Sequence, residues 1–206
     1  MLKEVFITLT SPYAMDQAYI NILWDDILKN HNKKNRYYHT IFHLESLYKS
    51  LVPIKKNIND WDIILFALFY HDYIYNPLKQ NNEELSAKKA VTILSLLSIP
   101  KERIELCKEI ILATKKHQSS KNKDVNYFTD ADHSILGTPW QTYQSYFKNV
   151  RKEYKYYPDV LYNKGRIKVL QHFIQMPRIY KSDYFYSKLE SQAKNNIQKE
   201  ISILSK

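Results

Sequence analysis

The sequence predicts an all-α protein, and three observations support this. Apolar residues recur at three- and four-residue spacing through most of the chain, which is the period of a helix buried on one face. Only two glycines occur among the 206 residues, Gly137 and Gly165, and this disfavours a turn-rich β fold. Polar connections separate the apolar segments. We therefore expect one helical bundle over residues 1–206, a length that suits a single domain.

The individual helices follow from their apolar faces and from the residues at their ends. Asp60 is a plausible N-cap for the third helix, which is apolar almost all round and should therefore be central. Gly137 should end a short helix, in keeping with the C-cap preference for glycine. The predicted helices cover residues 14–30, 36–51, 61–73, 83–97, 100–117, 127–136, 139–157 and 159–175, with a last polar helix from about 183.

Composition excludes several classes of protein. The scarcity of glycine disfavours phosphate-binding loops and dinucleotide-binding fingerprints. The single cysteine, Cys107, excludes an intrachain disulfide and a cysteine-based zinc site, and its place on a helix predicts a core position. The N-terminus lacks the apolar stretch of a signal peptide, and the longest apolar run, IILFALFY (63–70), is too short to span a bilayer. We expect a cytoplasmic protein with no membrane partner.

The formal net charge of +10 indicates an anionic partner. Lysines are scattered along the chain, and no nucleic-acid-binding motif occurs, so we expect a phosphorylated small molecule rather than nucleic acid. The aromatic helix near 140–157 is a candidate surface for a homo-oligomer.

The stretch FALFYHDYIYNP (66–77) places His71 and Asp72 inside an apolar run. Burying an unpaired carboxylate is costly, so the pair needs either hydrogen-bonding neighbours or a metal ion. His39 and Asp132 are further residues of the types that bind divalent metals. Taken singly, each is more typical of an ordinary core or surface position, and their combination is what suggests a site.

The order of these residues resembles that of the HD-domain superfamily, and more narrowly an uncharacterised bacterial group of metal-dependent HD phosphohydrolases. The resemblance implies a helical bundle of HD type, with a metal-binding core over about 20–140 and helices 140–206 packed on it. It also implies a divalent metal bound by His39, His71, Asp72 and Asp132, and hydrolysis of a phosphate ester of a nucleotide or related small molecule. The segments that carry it are RYYHTIFH (36–43), ALFYHDYIYNP (67–77), NNEELSA (81–87), TDADHSILG (129–137), VRKEY (150–154), GRIKVLQHFI (165–174) and RIY (178–180).

The resemblance leaves two choices open in TDADHSILG. Asp132 is the expected ligand and Asp130 would lie beside the site, but the reverse assignment is possible. His133 stands where the group has leucine, and we expect a neutral surface change there.

Catalytic and substrate-binding residues are expected around the metal. Glu83 is the candidate general base or water-positioning group, although a carboxylate in the first turn of a helix also stabilises the helix dipole. Arg36 is the first candidate to meet negative charge on the phosphoryl oxygens, and Arg151 and Arg166 are the next; each could equally be a structural arginine.

Two further histidines have open roles. His43 follows His39 by one predicted helical turn and either orients a ligand, binds phosphate or is a partly buried polar residue. His117 either extends the site to a second metal or complements a helix C-terminus. The ligand types do not choose among Mn, Mg, Fe, Co, Ni and Zn. Two alternatives to an enzyme remain: a non-catalytic metal-containing ligand-sensing or interaction module, and a nucleic-acid-binding helical protein suggested by charge alone.

Overall fold

A computed structural model describes residues 1–14, 16–115 and 118–206, and all the regular structure in these ranges is helical. The prediction of an all-α protein is therefore confirmed. None of the described helices is long and apolar enough to cross a membrane. The α-helices are α1 (Leu2–Thr10), α2 (Gln17–His31), α3 (Ile41–Leu51), α4 (Trp61–Tyr70), α5 (Asn82–Leu96), α6 (Lys101–Ala113), α7 (Lys123–Asp132), α8 (Trp140–Glu153), α9 (Asp159–Gln175) and α10 (Asp183–Leu204), and short 3₁₀ helices cover Val52–Asn57 and His133–Gly137.

The chain divides into two compact units, unit 1 from Met1 to Thr129 and unit 2 from Asp130 to Lys206. The division falls inside α7, whose last three residues belong to unit 2.

Helix α4 forms the centre of unit 1. Every residue from Ile63 to Tyr70 is buried, and α4 packs against α1, α3, α5 and α6. Asp60 caps the helix, as predicted, by accepting a hydrogen bond of 3.1 Å from the backbone N–H of Ile63. Cys107 on α6 is 1% exposed, which confirms its core position. The end of α4 is thus a fixed point from which His71 and Asp72 project.

Helix α3 begins later than the sequence predicts. Thr40, in an extended conformation, is the N-cap residue, and the helix starts at Ile41 rather than at residue 36. Residues 37–40 form a bend instead. His39 therefore precedes the helix, whereas His43 lies in its first turn. Leu44, Leu47 and Leu51 bury one face of α3, which packs on α4.

Gly137 ends the 3₁₀ helix of unit 2 for a reason that differs from the predicted one. Its φ angle is not positive, so the freedom of glycine at a left-handed C-cap is not used. A Cβ atom at this position would lie 2.5 Å from the Cβ of Leu189 and 2.8 Å from its carbonyl oxygen. Glycine is thus needed because α10 approaches closely. The side-chain amide of Asn196 holds this contact by donating to the carbonyl oxygens of Leu136 and Thr138.

Candidate metal centre

Three side chains of unit 1 meet at the end of α4: His43, His71 and Asp72. The Nε2 atoms of the two histidines lie 3.2 Å apart. Oδ2 of Asp72 lies 3.2 Å from Nε2 of His71 and 3.6 Å from Nε2 of His43. Both imidazoles are buried, with exposures of 6% for His43 and 2% for His71. Two nitrogen atoms and one oxygen atom that could bind a metal therefore lie close together.

The protonation of His71 is set by the backbone of α4. Nδ1 of His71 lies 3.0 Å from the carbonyl oxygen of Leu68, so Nδ1 carries the proton and donates it there. In the neutral ring, Nε2 then presents a lone pair to the carboxylate of Asp72. Two acceptors at 3.2 Å repel each other unless a proton or a cation lies between them. The group is therefore either an imidazolium–carboxylate ion pair or the ligand set of a metal ion.

Asp72 carries the negative charge of this group. Burial alone would raise the pKa of its carboxyl group, but the nearby imidazoles of His71, His39 and His43 outweigh burial and hold the pKa well below its ordinary value. The carboxyl group is thus ionised near neutral pH, which is the state required of a metal ligand.

His39, expected as a ligand, lies at the edge of the group. Its ring stacks on the ring of Tyr75 with the centroids 4.2 Å apart, and the ring of His43 is 5.7 Å away. The structure brings His43 into direct contact with His71 and Asp72. The imidazole of His39 is near enough to help lower the pKa of Asp72.

Arg36 holds together the two segments that carry the candidate ligands. Its Nη1 atom donates to the carbonyl oxygen of His39 and its Nη2 atom to that of Tyr73, both at 2.9 Å. The side chain is only 5% exposed, and the guanidinium lies over the ring of Tyr75. These contacts are those of a structural arginine, which is one of the two roles that the sequence leaves open for Arg36.

Glu83 lies in the first turn of α5, within electrostatic range of Asp72. Burial raises the pKa of its carboxyl group, and the negative charges of Glu84 and Asp72 add to this, while Lys115 opposes it from 3.9 Å. A carboxyl group with a raised pKa suits a general base, because it is a stronger base than an ordinary carboxylate. The role of Glu83 stays a prediction.

Asp130 and Asp132 differ within unit 2. Asp130 is fully buried and accepts hydrogen bonds from the backbone N–H groups of Lys181 and Ser182 and from the hydroxyl of Ser182, at 2.7–2.9 Å. Asp130 therefore fixes the segment before α10. Asp132 is the half-buried last residue of α7. His133, expected at the surface, is half-buried with its ring 5.3 Å from that of Phe173.

The two arginines of unit 2 that were expected to bind substrate are held by partners within that unit. Arg151 binds the carboxylate of Asp159 at 2.6 Å and the carbonyl oxygens of Tyr154 and Tyr157, so it joins the end of α8 to the start of α9. Arg166 binds both carboxylate oxygens of the buried Glu200, at 2.7 and 3.1 Å.

These contacts give Arg151 and Arg166 structural roles.

His117, a candidate for a second metal or for the end of a helix, lies outside the described residues.

His31 is a buried group that the sequence does not reveal, because HNKKN (31–35) has the composition of a polar loop. His31 is in fact the last residue of α2 and is fully buried. Its Nδ1 atom donates to the carbonyl oxygen of Ile27 at 2.9 Å. Burial, together with the charge of Arg36, lowers its pKa to about 3, so His31 is neutral at ordinary pH.

No protein-family model, curated protein or solved structure matches the chain. The likeness to HD-domain proteins therefore stays a resemblance of motifs.

Proposed function

We propose that the protein is a metal-dependent phosphohydrolase that binds a divalent cation through His43, His71 and Asp72. The observation that carries the proposal is the convergence of two Nε2 atoms and one carboxylate oxygen in a buried position. Asp132 stays the predicted fourth ligand.

The spacing of the donor atoms supports a shared cation. Imidazole nitrogens and carboxylate oxygens lie about 2.0–2.2 Å from a bound Zn²⁺ or similar ion, so neighbouring ligands in octahedral or tetrahedral geometry are about 2.8–3.6 Å apart. The observed separations of 3.2, 3.2 and 3.6 Å lie within this range. The protonated Nδ1 of His71 is also the usual arrangement for a histidine that binds metal through Nε2.

Asp132 is kept in the proposal because the resemblance carried by TDADHSILG (129–137) implies a metal ligand there.

The proposed reaction is the hydrolysis of a phosphate ester of a nucleotide or a related small molecule. A bound divalent cation lowers the pKa of a water ligand and polarises a phosphoryl oxygen. Glu83 would accept the proton of the attacking water, a role that its raised pKa supports. Arg36 would keep the two ligand-bearing segments in register rather than contact the substrate.

A second candidate function is a non-catalytic metal-containing module that senses a ligand or binds a partner. The contacts of Arg36 favour it, because both terminal nitrogens of this first candidate for phosphate binding donate to backbone carbonyl oxygens. An enzyme needs another cation to meet the charge that develops on the phosphoryl oxygens.

The experiment that separates these functions is a phosphatase and nucleotidase panel run with several divalent metals on the wild type and Asp72→Ala. The enzyme predicts metal-dependent turnover that is lost in the variant, with metal binding weakened in parallel. Metal binding without turnover on any substrate would favour the sensing module. If neither metal binding nor turnover is found, His71 and Asp72 form only an ion pair.

A further inference from the structure

Unit 1 contains a buried hydrogen-bond acceptor that none of the roles above uses. His31, the last residue of α2, has an exposed fraction of 0%. Because its Nδ1 atom carries the proton that is donated to the carbonyl oxygen of Ile27, Nε2 of the neutral ring has a bare lone pair. Within the described ranges 1–14, 16–115 and 118–206, no protein group makes a hydrogen bond with this Nε2 atom. A buried acceptor is costly when it is left unsatisfied, so Nε2 of His31 needs a donor.

The surroundings of His31 are polar, because the end of α2 is held against the segment that follows α4. The hydroxyl group of Tyr73 donates to Oδ2 of Asp26, a residue of α2, at 2.6 Å. The carbonyl oxygen of the same tyrosine accepts a hydrogen bond from Arg36, which is itself buried. The charges of Arg36 and Asp72 both act on the imidazole of His31. Such surroundings suit a buried water molecule, which makes about two to four hydrogen bonds to polar groups.

A proton, a metal ion and a water molecule are the candidates to meet this lone pair. The proton is excluded at ordinary pH, because burial and the positive charge of Arg36 lower the pKa of the ring to about 3. A metal ion needs several ligands, and among the described residues His31 belongs to no group of three or more His, Cys, Asp or Glu side chains that could hold one. A water molecule is neutral, donates O–H groups and fits beside a ring that has no exposed surface.

We propose that Nε2 of His31 accepts a hydrogen bond from a buried water molecule, so that the end of α2 forms an internal water-binding site in unit 1. The inference goes beyond the proposed function and does not rest on it, because it requires neither a bound metal nor turnover. His31 is then a structural histidine with two satisfied nitrogens: Nδ1 binds the backbone of α2, and Nε2 binds solvent that is kept inside the fold.

Two measurements on the full chain, with no metal added, test this water site. A high-resolution crystal structure should show a water oxygen about 2.7–3.2 Å from Nε2 of His31. In solution, Hδ2 of His31 should show a nuclear Overhauser cross peak to water with opposite signs in the laboratory and rotating frames, which identifies a long-lived bound water. Hδ2 is chosen because it lies next to Nε2 and away from the exchangeable proton on Nδ1. His172 is the matched control, because this exposed histidine of α9 should give no such cross peak.

His31→Phe removes the acceptor and keeps a ring in its place, so we expect the crystal structure of this variant to lose the water molecule. The measurements on the wild type decide the question even if His31→Phe does not fold. A protein donor, a metal ion or only apolar atoms against Nε2 of the wild type would overturn the inference, as would a water molecule that persists in His31→Phe. None of these results bears on metal binding by Asp72→Ala, so a failure of this inference is distinguishable from a failure of the proposed function.

Discussion

His43 and His39 belong to one short segment, yet their described contacts differ, and the consequence for metal binding can be measured. Nε2 of His43 is 3.2 Å from Nε2 of His71, whereas the ring of His39 stacks on Tyr75. Loss of a residue that only supports a ligand lowers metal affinity about 10–100-fold. His43→Gln removes a proposed direct ligand, so we expect a loss of about 100-fold or more, or about 2.7 kcal/mol of binding free energy. His39→Gln should lower metal affinity less, by about tenfold, which is the lower end of the range for a supporting residue.

Calorimetric titration with Co²⁺, with the visible absorption of the bound ion as a second readout, measures both affinities. His172→Gln is the matched control, because His172 is an exposed histidine on α9 in unit 2. Circular dichroism and thermal unfolding establish that the variants are folded. If His39→Gln lowers the Co²⁺ affinity as much as His43→Gln, the assignment of the ligand by contact geometry is refuted. Unchanged Co²⁺ binding by both variants would refute the proposed metal centre.

Two further predictions concern packing and positioning. Gly137→Ala should lower the free energy of unfolding by about 1–3 kcal/mol, because its Cβ atom would overlap side-chain and backbone atoms of Leu189. Gly165→Ala is its control: Gly165 lies exposed within α9, an added Cβ atom would meet nothing within 4 Å, and the variant should be more stable by about 0.5–1 kcal/mol in urea titrations. Arg36→Lys should lower Co²⁺ affinity about 10–100-fold while the fold is kept, since one ammonium group cannot reach both carbonyl oxygens in the geometry of the guanidinium fork. If Gly137→Ala unfolds at the same free energy as the wild type, the close approach of Leu189 to residue 137 is contradicted. If Arg36→Lys keeps full Co²⁺ affinity, the proposed positioning role of Arg36 is contradicted.

Local patterns predict the elements whose causes are local. Helix α4 is predicted well because a run that is apolar almost all round has no surface face, and its Asp60 cap lies next to it in sequence. The first helix, α1, is not predicted although Leu2, Phe6 and Leu9 have helical spacing, because nine residues contain too few turns to establish a period. The start of α3 is misplaced because the apolar period of a helix does not mark the N-cap residue, here Thr40.

The partners of buried charges are not predicted, because they are distant in sequence. Arg36 pairs with a carbonyl oxygen 37 residues away, and Arg166 with a carboxylate 34 residues away. An arginine in a motif indicates a group suited to phosphate, but only the fold decides whether its N–H groups are already used. The same reasoning explains why the sequence does not predict the role of Asp130: the backbone N–H groups that it binds lie 51 and 52 residues later.

The backbone character of the contacts made by Arg36 has a practical consequence for redesign. Because its guanidinium holds the carbonyl oxygen of His39 rather than the imidazole, this hydrogen bond does not depend on which side chain position 39 carries. Residue 39 is thus a suitable position for library mutagenesis that alters the choice of ion or ligand. Residue 73 is not, because the side chain of Tyr73 is 6% exposed and its hydroxyl donates to Asp26 at 2.6 Å.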